Sequence, residues 1–386
     1  MAAYLSKITG SEITSLAIIF TVANAVGPIT MISGGFINDK LGPKWVILAG
    51  GLLFGSGMIL SGFAKSVPML MLTYGLGVGL GVGLVYGCTI GNSVKFFPDK
   101  RGLAGGIATA SYGISSVLIS PVANALISRM DVTVVFTWLG VVMLAIICIS
   151  AFFITACPKG FKPDGWEPPA AQKTAPAGKD WRGMLRDPVF YVMIVMMCCG
   201  AFSGLMIISQ ASPVAQRMVG LSVTEAAAAV SVLALFNTAG RILTGFSSDK
   251  LGTIRTILLV FAVSAAGLSA LSFCGPGGKT LFYTGLCAVG LAFGSIMGIY
   301  PGFTASQFGA KNNSVNYGIM FIGFRSWILR SHHHVRALYR HRWRQCRLSY
   351  RFHTSSHWIC TYISLCKTDK NPEIKTGGLL CQRKHF

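Results

Sequence analysis

The sequence predicts an all-α, polytopic membrane protein with two related helical bundles. Of its 386 residues, 52% are hydrophobic and 12% are charged, about half the charged fraction that is usual for a soluble domain. Long apolar runs recur along the chain, and a charged motif that follows one of them is repeated later. Such a composition excludes a soluble enzyme, a disordered protein and a secreted disulfide scaffold.

Each apolar run is about as long as a helix needs to be, roughly 17–25 residues, to cross the hydrocarbon core of a bilayer. Gly, Ala and Ser are frequent in these runs, which favours close contact between helices in lipid. One run alternates glycines from Gly75 to Gly83. Because no strand precedes it, we interpret it as a packing surface and not as a dinucleotide-binding loop. The predicted spans are residues 13–37, 46–63, 68–93, 103–127, 133–156, 188–210, 222–247, 253–274 and 280–306.

The basic residues show how the chain is organised and oriented. Alternate loops of the apolar part hold 14 Lys and Arg, whereas the opposite loops hold 5. This asymmetry predicts that the first set of loops is cytoplasmic and that the protein lies in the plasma (inner) membrane. The longest cytoplasmic loop, residues 157–187, is rich in Pro, Lys and Ala. It is the predicted linker between an N-terminal bundle, residues 1–156, and a C-terminal bundle, residues 188–324.

A charged loop motif occurs twice, and Asp39 and Asp249 occupy the same place in its two copies, 210 residues apart. A weaker echo relates Lys100 to Lys311 at an offset of 211 residues. Duplicated membrane halves are typical of secondary transporters. An Asp at a helix end can accept hydrogen bonds from the N-terminus of a neighbouring helix, so we assign both loops to gating. The residues assigned to gating are Gly35, Asp39, Lys40, Gly42 and Lys44 in the first copy and Gly245, Asp249, Lys250, Gly252 and Arg255 in the second.

The duplicated loop resembles the signature loop of the major facilitator superfamily. Residues 83–86, 95–107 and 316–320 are similar to the oxalate/formate antiporters of that superfamily. The resemblance covers residues 1–324 and implies two bundles of six helices. In the superfamily the first signature loop follows the second helix, whereas here it follows the first span. This alignment predicts that the first helix is missing.

One cation lies inside an apolar run, at Arg241. It is eight residues before Asp249, or ~12 Å along a helix, which is near the middle of a core ~30 Å thick. An Arg at that depth costs at least ~2.5–3.5 kcal/mol, so a functional role is expected. The alternatives are a side chain that reaches the interface and one that pairs with a backbone carbonyl. A guanidinium suits a carboxylate, with which it makes two parallel hydrogen bonds.

The resemblance implies that Arg241 binds the substrate carboxylate and that Tyr86 and Tyr112 line the pocket. Gln210 and Asn237 are further candidates, and each also suits a helix–helix hydrogen bond. Oxalate transporters place a second cation, a lysine, where this chain has Phe324. Since a dianion that faces one cation would carry an unneutralised charge into a medium of low dielectric constant, a monocarboxylate such as formate or lactate is favoured over oxalate.

The last part of the chain, residues 325–386, has a different composition. It carries a net charge of +11 and all seven His, and it has no run that could cross a membrane. A metal-binding cluster of His332, His333, His334 and Cys346, or a basic tail that binds lipid or nucleic acid, would lack specific ligand spacing or amphipathic periodicity. We interpret the change as a reading-frame shift that replaced the last two helices.

Together these observations predict a secondary transporter of small carboxylates (formate, lactate or oxalate-like anions) that works by alternating access, through exchange or proton-coupled symport. Exchange is favoured, because the only acidic residue that could lie deep in a span is Glu225, near the start of its run. We expect a monomer whose partners are the organic anion and the lipid bilayer, with no nucleic acid, no cofactor and no metal. The alternatives are a transport-inactive remnant of such a carrier and an integral-membrane enzyme, for which the spans hold no nucleophile–base pair.

Overall fold

The computed structural model describes residues 13–158, 160–165, 178–275 and 277–324 of the chain. The described part is all-helical, in agreement with the predicted fold class. The predicted absence of the first helix concerns the chain before Ile13, and the predicted frame shift concerns residues 325–386 with their His and Cys residues. Both lie outside the described residues and stay predictions.

Five helices form the first half of the molecule, which we define as residues 13–156. Each coincides with one predicted span, and the ends differ from the predicted ones by at most four residues. α3 contains a π-helical stretch, Met71–Val78, within its glycine-rich region. The five helices are α1, Ile13–Leu41; α2, Pro43–Gly62; α3, Val67–Phe96; α4, Arg101–Ile127; and α5, Val132–Phe153.

The second half, which we define as residues 178–324, begins with a short helix at the end of the linker. Its long helices again coincide with the predicted spans, and a last helix is described up to Phe324. Eight helices of the described part, α2 to α5 and α7 to α10, are long and apolar enough to cross a membrane. The helices of this half are α6, Trp181–Leu185; α7, Pro188–Arg217; α8, Val223–Leu251; α9, Thr253–Ser272; α10, Lys279–Phe308; and α11, residues 313–324.

The repeated motif produces the same turn in both halves. Gly42 ends α1 with a φ of 83° and Gly252 ends α8 with a φ of 87°, a conformation that glycine adopts without steric cost. In each case the next helix starts at the following residue, Pro43 or Thr253. The duplicated glycine therefore has a local reason, because its backbone conformation lets one helix end and the next begin at the following residue.

The alternating glycines of α3 are a packing surface, as predicted. A Cβ at Gly79 would lie 2.5 Å from the carbonyl oxygen of Ala23, and one at Gly83 would lie 2.2 Å from that of Gly27. On the other side of the helix, a Cβ at Gly81 would lie 2.6 Å from the oxygen of Gly50. α3 is thus held between α1 and α2 at distances that only glycine allows.

The two halves meet closely at one end of the molecule, which we call the loop end because Asp39 and Asp249 both lie there. α4 of the first half packs against α8 and α10 of the second half. Gly102 and Gly245 allow this approach, since a Cβ at Gly245 would lie 2.5 Å from the oxygen of Gly102. The largest buried apolar cluster contains residues of both halves, including Met31, Tyr86, Phe293 and Tyr317. The halves therefore share one core.

Candidate functional site

Arg241 belongs to α8 and lies where this helix contacts α4 and α10. A Cβ at Gly106 of α4 would lie 2.4 Å from the carbonyl oxygen of Arg241, and one at Gly298 of α10 would lie 2.6 Å from it. The backbones of three helices therefore converge on this residue because two of them contribute glycine. Arg241 lies eight residues before Asp249 on the same helix, which corresponds to ~12 Å along α8.

The guanidinium of Arg241 has two partners, and neither is acidic. Its Nε donates to Oδ1 of Asn237 at 3.1 Å, one turn earlier on α8. Its Nη1 donates to the carbonyl oxygen of Thr109 on α4 at 2.6 Å. Arg241 belongs to none of the ion pairs of the described part, and its remaining N–H groups make no hydrogen bond there. The predicted pairing with a backbone carbonyl is thus present, and donors remain that an anion could use.

Tyr86 and Tyr112, both proposed from the sequence, lie next to each other and near Arg241. Their ring centroids are 4.5 Å apart with an interplanar angle of 81°, an edge-to-face arrangement. Gly113, which follows Tyr112, comes close to the guanidinium, because a Cβ there would lie 3.7 Å from Nε of Arg241. α3, α4 and α8 therefore bring three of the five predicted substrate residues together, and Asn237 is the fourth.

Gln210 makes no hydrogen bond with this cluster within the described residues. α7 passes α10 at Gly200, which packs against Ile296, two residues from Gly298 and the level of Arg241. Gln210 lies ten residues further along α7, which corresponds to ~15 Å. Its role in substrate binding stays a prediction.

An aromatic wall continues from the two tyrosines towards α10 and α11. The ring centroid of Phe321 lies 5.6 Å from that of Tyr86. Phe321 stacks on Phe324 with a centroid distance of 4.8 Å, and Phe324 stacks on Phe293 with a centroid distance of 6.3 Å. Phe324 occupies the position at which the resemblance to oxalate transporters would require a lysine. In this chain that position belongs to an apolar surface.

Tyr317 belongs to the same cluster, and the sequence analysis did not identify it as a site residue. It is fully buried on α11, and its ring lies 5.7 Å from that of Phe321. The motif around it, residues 316–320, served only to support the family resemblance. A tyrosine in an apolar run has too many ordinary explanations to be singled out without the fold.

The second signature loop contacts the opposite half through Asp249. Its two carboxylate oxygens accept hydrogen bonds from the backbone N–H groups of Gly102, at 2.9 Å, and Leu103, at 2.8 Å. These groups belong to the first turn of α4, which has no intrahelical partner for them. A cavity of about 160 Å³ lies beside this contact and is lined by Asp99, Arg101, Asp249 and hydroxyl groups such as that of Ser306.

The first signature loop makes different contacts. Asp39 pairs with Lys95 of the same half at 2.8 Å, and the neighbouring Asn38 donates to the hydroxyl of Ser314 on α11 at 3.0 Å. Gly35 allows the approach of α11, since a Cβ there would lie 2.9 Å from the backbone of Ser314. Lys44 and Lys250 lie over the rings of Phe152 and Phe246 at 4.8 and 4.4 Å. The remaining charged residues of the motif, Lys40 and Arg255, are exposed.

With this geometry in place, comparison with known proteins identifies the family. The profile of the Major Facilitator Superfamily matches residues 1–329. The chain belongs to the Major Facilitator Superfamily. Members of this superfamily are transporters that bind small molecules within the membrane, and the chain is accordingly a multi-pass membrane protein.

Individual relatives agree with this family. The chain is 29% identical to the uncharacterised MFS-type transporter YhjX of Escherichia coli over 83% of its own length and 78% of that protein. It is also 29% identical to the oxalate:formate antiporter of Oxalobacter formigenes, over 81% of its length and 73% of that protein. Monocarboxylate transporter 12 of Rattus norvegicus is 25% identical over 75% of this chain and 64% of that protein.

Solved structures show the same fold. The chain resembles the proton:xylose symporter XylE with a TM-score of 0.70, over 95% of this chain and 90% of that one. Only 14% of the aligned residues are identical, so this likeness concerns the fold alone. The expectation of a superfamily fold, drawn from the duplicated loop, is confirmed.

Proposed function

We propose that this protein is a secondary transporter of small monocarboxylates, with formate and lactate as the first candidates, and that Arg241 binds the carboxylate. The observation that carries the proposal is a guanidinium deep in the helical bundle that no acidic side chain of the described part neutralises. Its unused N–H groups can donate parallel hydrogen bonds to one carboxylate, whose single negative charge the guanidinium then neutralises. The energetic cost of an Arg at membrane depth then has a functional reason.

The surroundings of Arg241 favour an anion with one charge. Phe324, Phe321 and Phe293 form an apolar wall in place of a second cation. A dicarboxylate would leave one charge uncompensated against this wall, which is unfavourable at low dielectric constant. The names of the relatives, an oxalate:formate antiporter and a monocarboxylate transporter, support small carboxylates as the substrate class.

Exchange is the transport mode that the acidic residues favour. Glu225 accepts a hydrogen bond from the backbone of Ser222 at the start of α8 and pairs with Lys279 at 2.8 Å. It is therefore committed to the end of the helix and is not a proton carrier beside Arg241. Countertransport of two anions through one site needs no such carrier.

Alternating access would use the contacts of the loop end as a gate. Asp249 joins the halves there, and opening requires that its two hydrogen bonds break. The positive-inside asymmetry assigns this end and the linker to the cytoplasm and the protein to the plasma (inner) membrane. In this proposal the conformation described is closed towards the cytoplasm, and the protein acts as a monomeric carrier without enzymatic activity.

The test is uptake of radiolabelled formate, lactate and oxalate into proteoliposomes preloaded with unlabelled acid. We expect formate or lactate exchange by the full chain and a loss of at least about 100-fold in Arg241→Gln, since the ionic hydrogen bonds to the substrate disappear. Arg217→Gln is the matched control, because Arg217 is exposed at the end of α7 and should leave exchange unchanged.

A second variant tests the argument from charge. Phe324→Lys places a cation in the aromatic wall and should raise oxalate exchange relative to lactate exchange by about tenfold or more, because the second carboxylate gains a counter-charge. Transport of the same acids by Arg241→Gln at the wild-type rate would remove Arg241 from the site. A full chain that exchanges none of these acids would refute the assignment of substrate class.

A further inference from the structure

The side chain of Asn237 is hydrogen-bonded to the cation of the site without neutralising it. Its Oδ1 accepts a hydrogen bond from Nε of Arg241 at 3.1 Å, and the two residues are four apart on α8, a spacing at which side chains of one helix meet. Asn237 is buried, and α10 packs closely on its backbone, since a Cβ at Gly294 would overlap the carbonyl oxygen of Asn237. An Asp at this position would have the same shape but would form an ion pair with the guanidinium.

The other surroundings of the guanidinium are neutral as well. Nη1 donates to the carbonyl oxygen of Thr109 on α4 at 2.6 Å, and none of the ion pairs within the described residues includes Arg241. α10 approaches this turn of α8 through glycines. The titratable side chains of the adjoining aromatic cluster are the phenols of Tyr86, Tyr112 and Tyr317, and phenols are uncharged near pH 7. Without a ligand, the site therefore carries the uncompensated charge of one guanidinium.

This charge makes the empty carrier costly to close on both sides. Alternating access requires the site to pass through a state that is shut off from water, and an isolated charge in a medium of low dielectric constant is unfavourable. A bound monocarboxylate neutralises the guanidinium, so the loaded carrier passes between its two orientations more easily than the empty one. That difference is the condition for exchange. A carboxylate at position 237 would neutralise the empty site instead, and it would have to take up a proton before Arg241 could bind an anion.

We infer that Asn237 determines the transport mode, because its amide orients the guanidinium of Arg241 and leaves the positive charge to the anion. The carrier then exchanges one anion for another and does not move an anion together with a proton. This inference rests on the proposed function. It gives Asn237 a positioning role, exerted through Arg241, in place of direct contact with the substrate.

The main variant is Asn237→Asp, which keeps the shape and the acceptor and adds a charge. The purified full chain is placed in proteoliposomes, and uptake of radiolabelled lactate is measured both as exchange against internal lactate and as net uptake into liposomes without internal lactate. The membrane potential is clamped with potassium and valinomycin, and the uptake of protein-free liposomes is subtracted. For the wild-type chain we expect exchange, with net uptake at most about a tenth as fast and insensitive to a pH gradient.

In Asn237→Asp the KM for lactate exchange near neutral pH should rise at least about tenfold, because the introduced carboxylate competes with lactate for the guanidinium. The rise should shrink as the external pH is lowered to about 5.5, since protonation of the introduced carboxyl group releases the guanidinium. For the same reason, a gradient with the alkaline side inside should now drive net uptake of lactate.

Two further variants separate positioning from a structural role. Asn237→Ala removes the acceptor without adding a charge, and its KM should rise about three- to tenfold at every pH, because the guanidinium loses one of the bonds that orient it. Asn312→Asp is the matched control. It adds the same charge at the loop end, where the amide of Asn312 donates to the carbonyl oxygen of Lys179 at 3.4 Å, and it should leave exchange and its pH dependence unchanged.

Several outcomes separate this inference from the proposed function. A wild-type KM in Asn237→Asp at both pH values overturns the inference and leaves the proposed function intact. An equal rise of KM in Asn237→Asp and Asn237→Ala that does not change with pH also overturns it, because Asn237 would then have a structural role only. Net uptake by the wild-type chain that follows the pH gradient as fast as exchange does the same. If the wild-type chain transports no small carboxylate, the proposed function fails first, and the role of Asn237 fails with it.

Discussion

The two signature loops have nearly the same sequence but make different contacts. Asp249 crosses to the other half and accepts two backbone hydrogen bonds from the first turn of α4. Asp39, at the equivalent place, stays in its own half and pairs with Lys95, while its neighbour Asn38 crosses to Ser314. The halves are therefore joined at the loop end by a carboxylate at a helix N-terminus in one place and by a hydrogen bond between neutral groups in the other.

The difference has an explanation in the repeat itself. At the offset of 211 residues that relates Lys100 to Lys311, the residue equivalent to Lys95 is Ser306. Asp249 thus has no lysine in that position with which to form an ion pair in its own half. Its carboxylate can therefore accept hydrogen bonds from the N–H groups of α4. A signature motif can accordingly be conserved in both halves of a molecule while its contact across the interface is made by only one carboxylate.

The largest effect is expected from Asp249→Asn. The change removes an ionised acceptor from the first turn of α4, which should destabilise the closed loop end by ~1.5–3 kcal/mol. Hydrogen exchange followed by mass spectrometry should then show the amides of residues 102 and 103 exchanging about 10- to 100-fold faster. Peptides from α9 serve as an internal control, since α9 does not take part in this contact. Unchanged protection of residues 102 and 103 would show that Asp249 does not hold the gate.

An intermediate effect is expected from Ser306→Lys, which gives the second half the lysine of the first. The new ammonium group should compete with the α4 amides for Asp249 and weaken the contact by ~1 kcal/mol. Exchange of residues 102 and 103 should accelerate by about fivefold, and the acceleration should diminish in 0.5 M salt as the new pair is screened. Ser306→Gln is the matched control, because it has similar bulk and no charge. The same acceleration in both variants would attribute the effect to bulk and refute the explanation from charge.

The smallest effect is expected from Asp39→Asn. Its ion pair with Lys95 is partly exposed, with about a fifth of each side chain accessible, and such pairs contribute ~0–1 kcal/mol. The midpoint of thermal unfolding should fall by a degree or two at most, and exchange of residues 314–318 should stay within about twofold of the wild-type rate. An effect as large as that of Asp249→Asn would mean that the two loops hold the gate equally.

The sequence predicts much of the candidate site, though not all of it. Arg241 could be found without the fold because a cation in an apolar run is costly and therefore rare. Phe324 could be recognised through the lysine that it replaces in the resemblance. Tyr317 could not, because a tyrosine in an apolar helix is usually a packing residue, and only the packing of α11 against α3 brings it into one aromatic cluster with Phe321 and Tyr86.

By itself the sequence determined the helical fold class, the positions of the apolar helices, the duplication of the signature loop and the place of Arg241 within an apolar helix. These are local properties, since the length of an apolar run, the turn at Gly42 or Gly252 and the cost of a buried charge depend on a few neighbouring residues. Only the tertiary structure decided which partner each signature Asp takes and which aromatic side chains lie together near Arg241. These choices depend on distances between residues that are far apart in the chain, such as Asp249 and Gly102, and such distances exist only once the helices are packed.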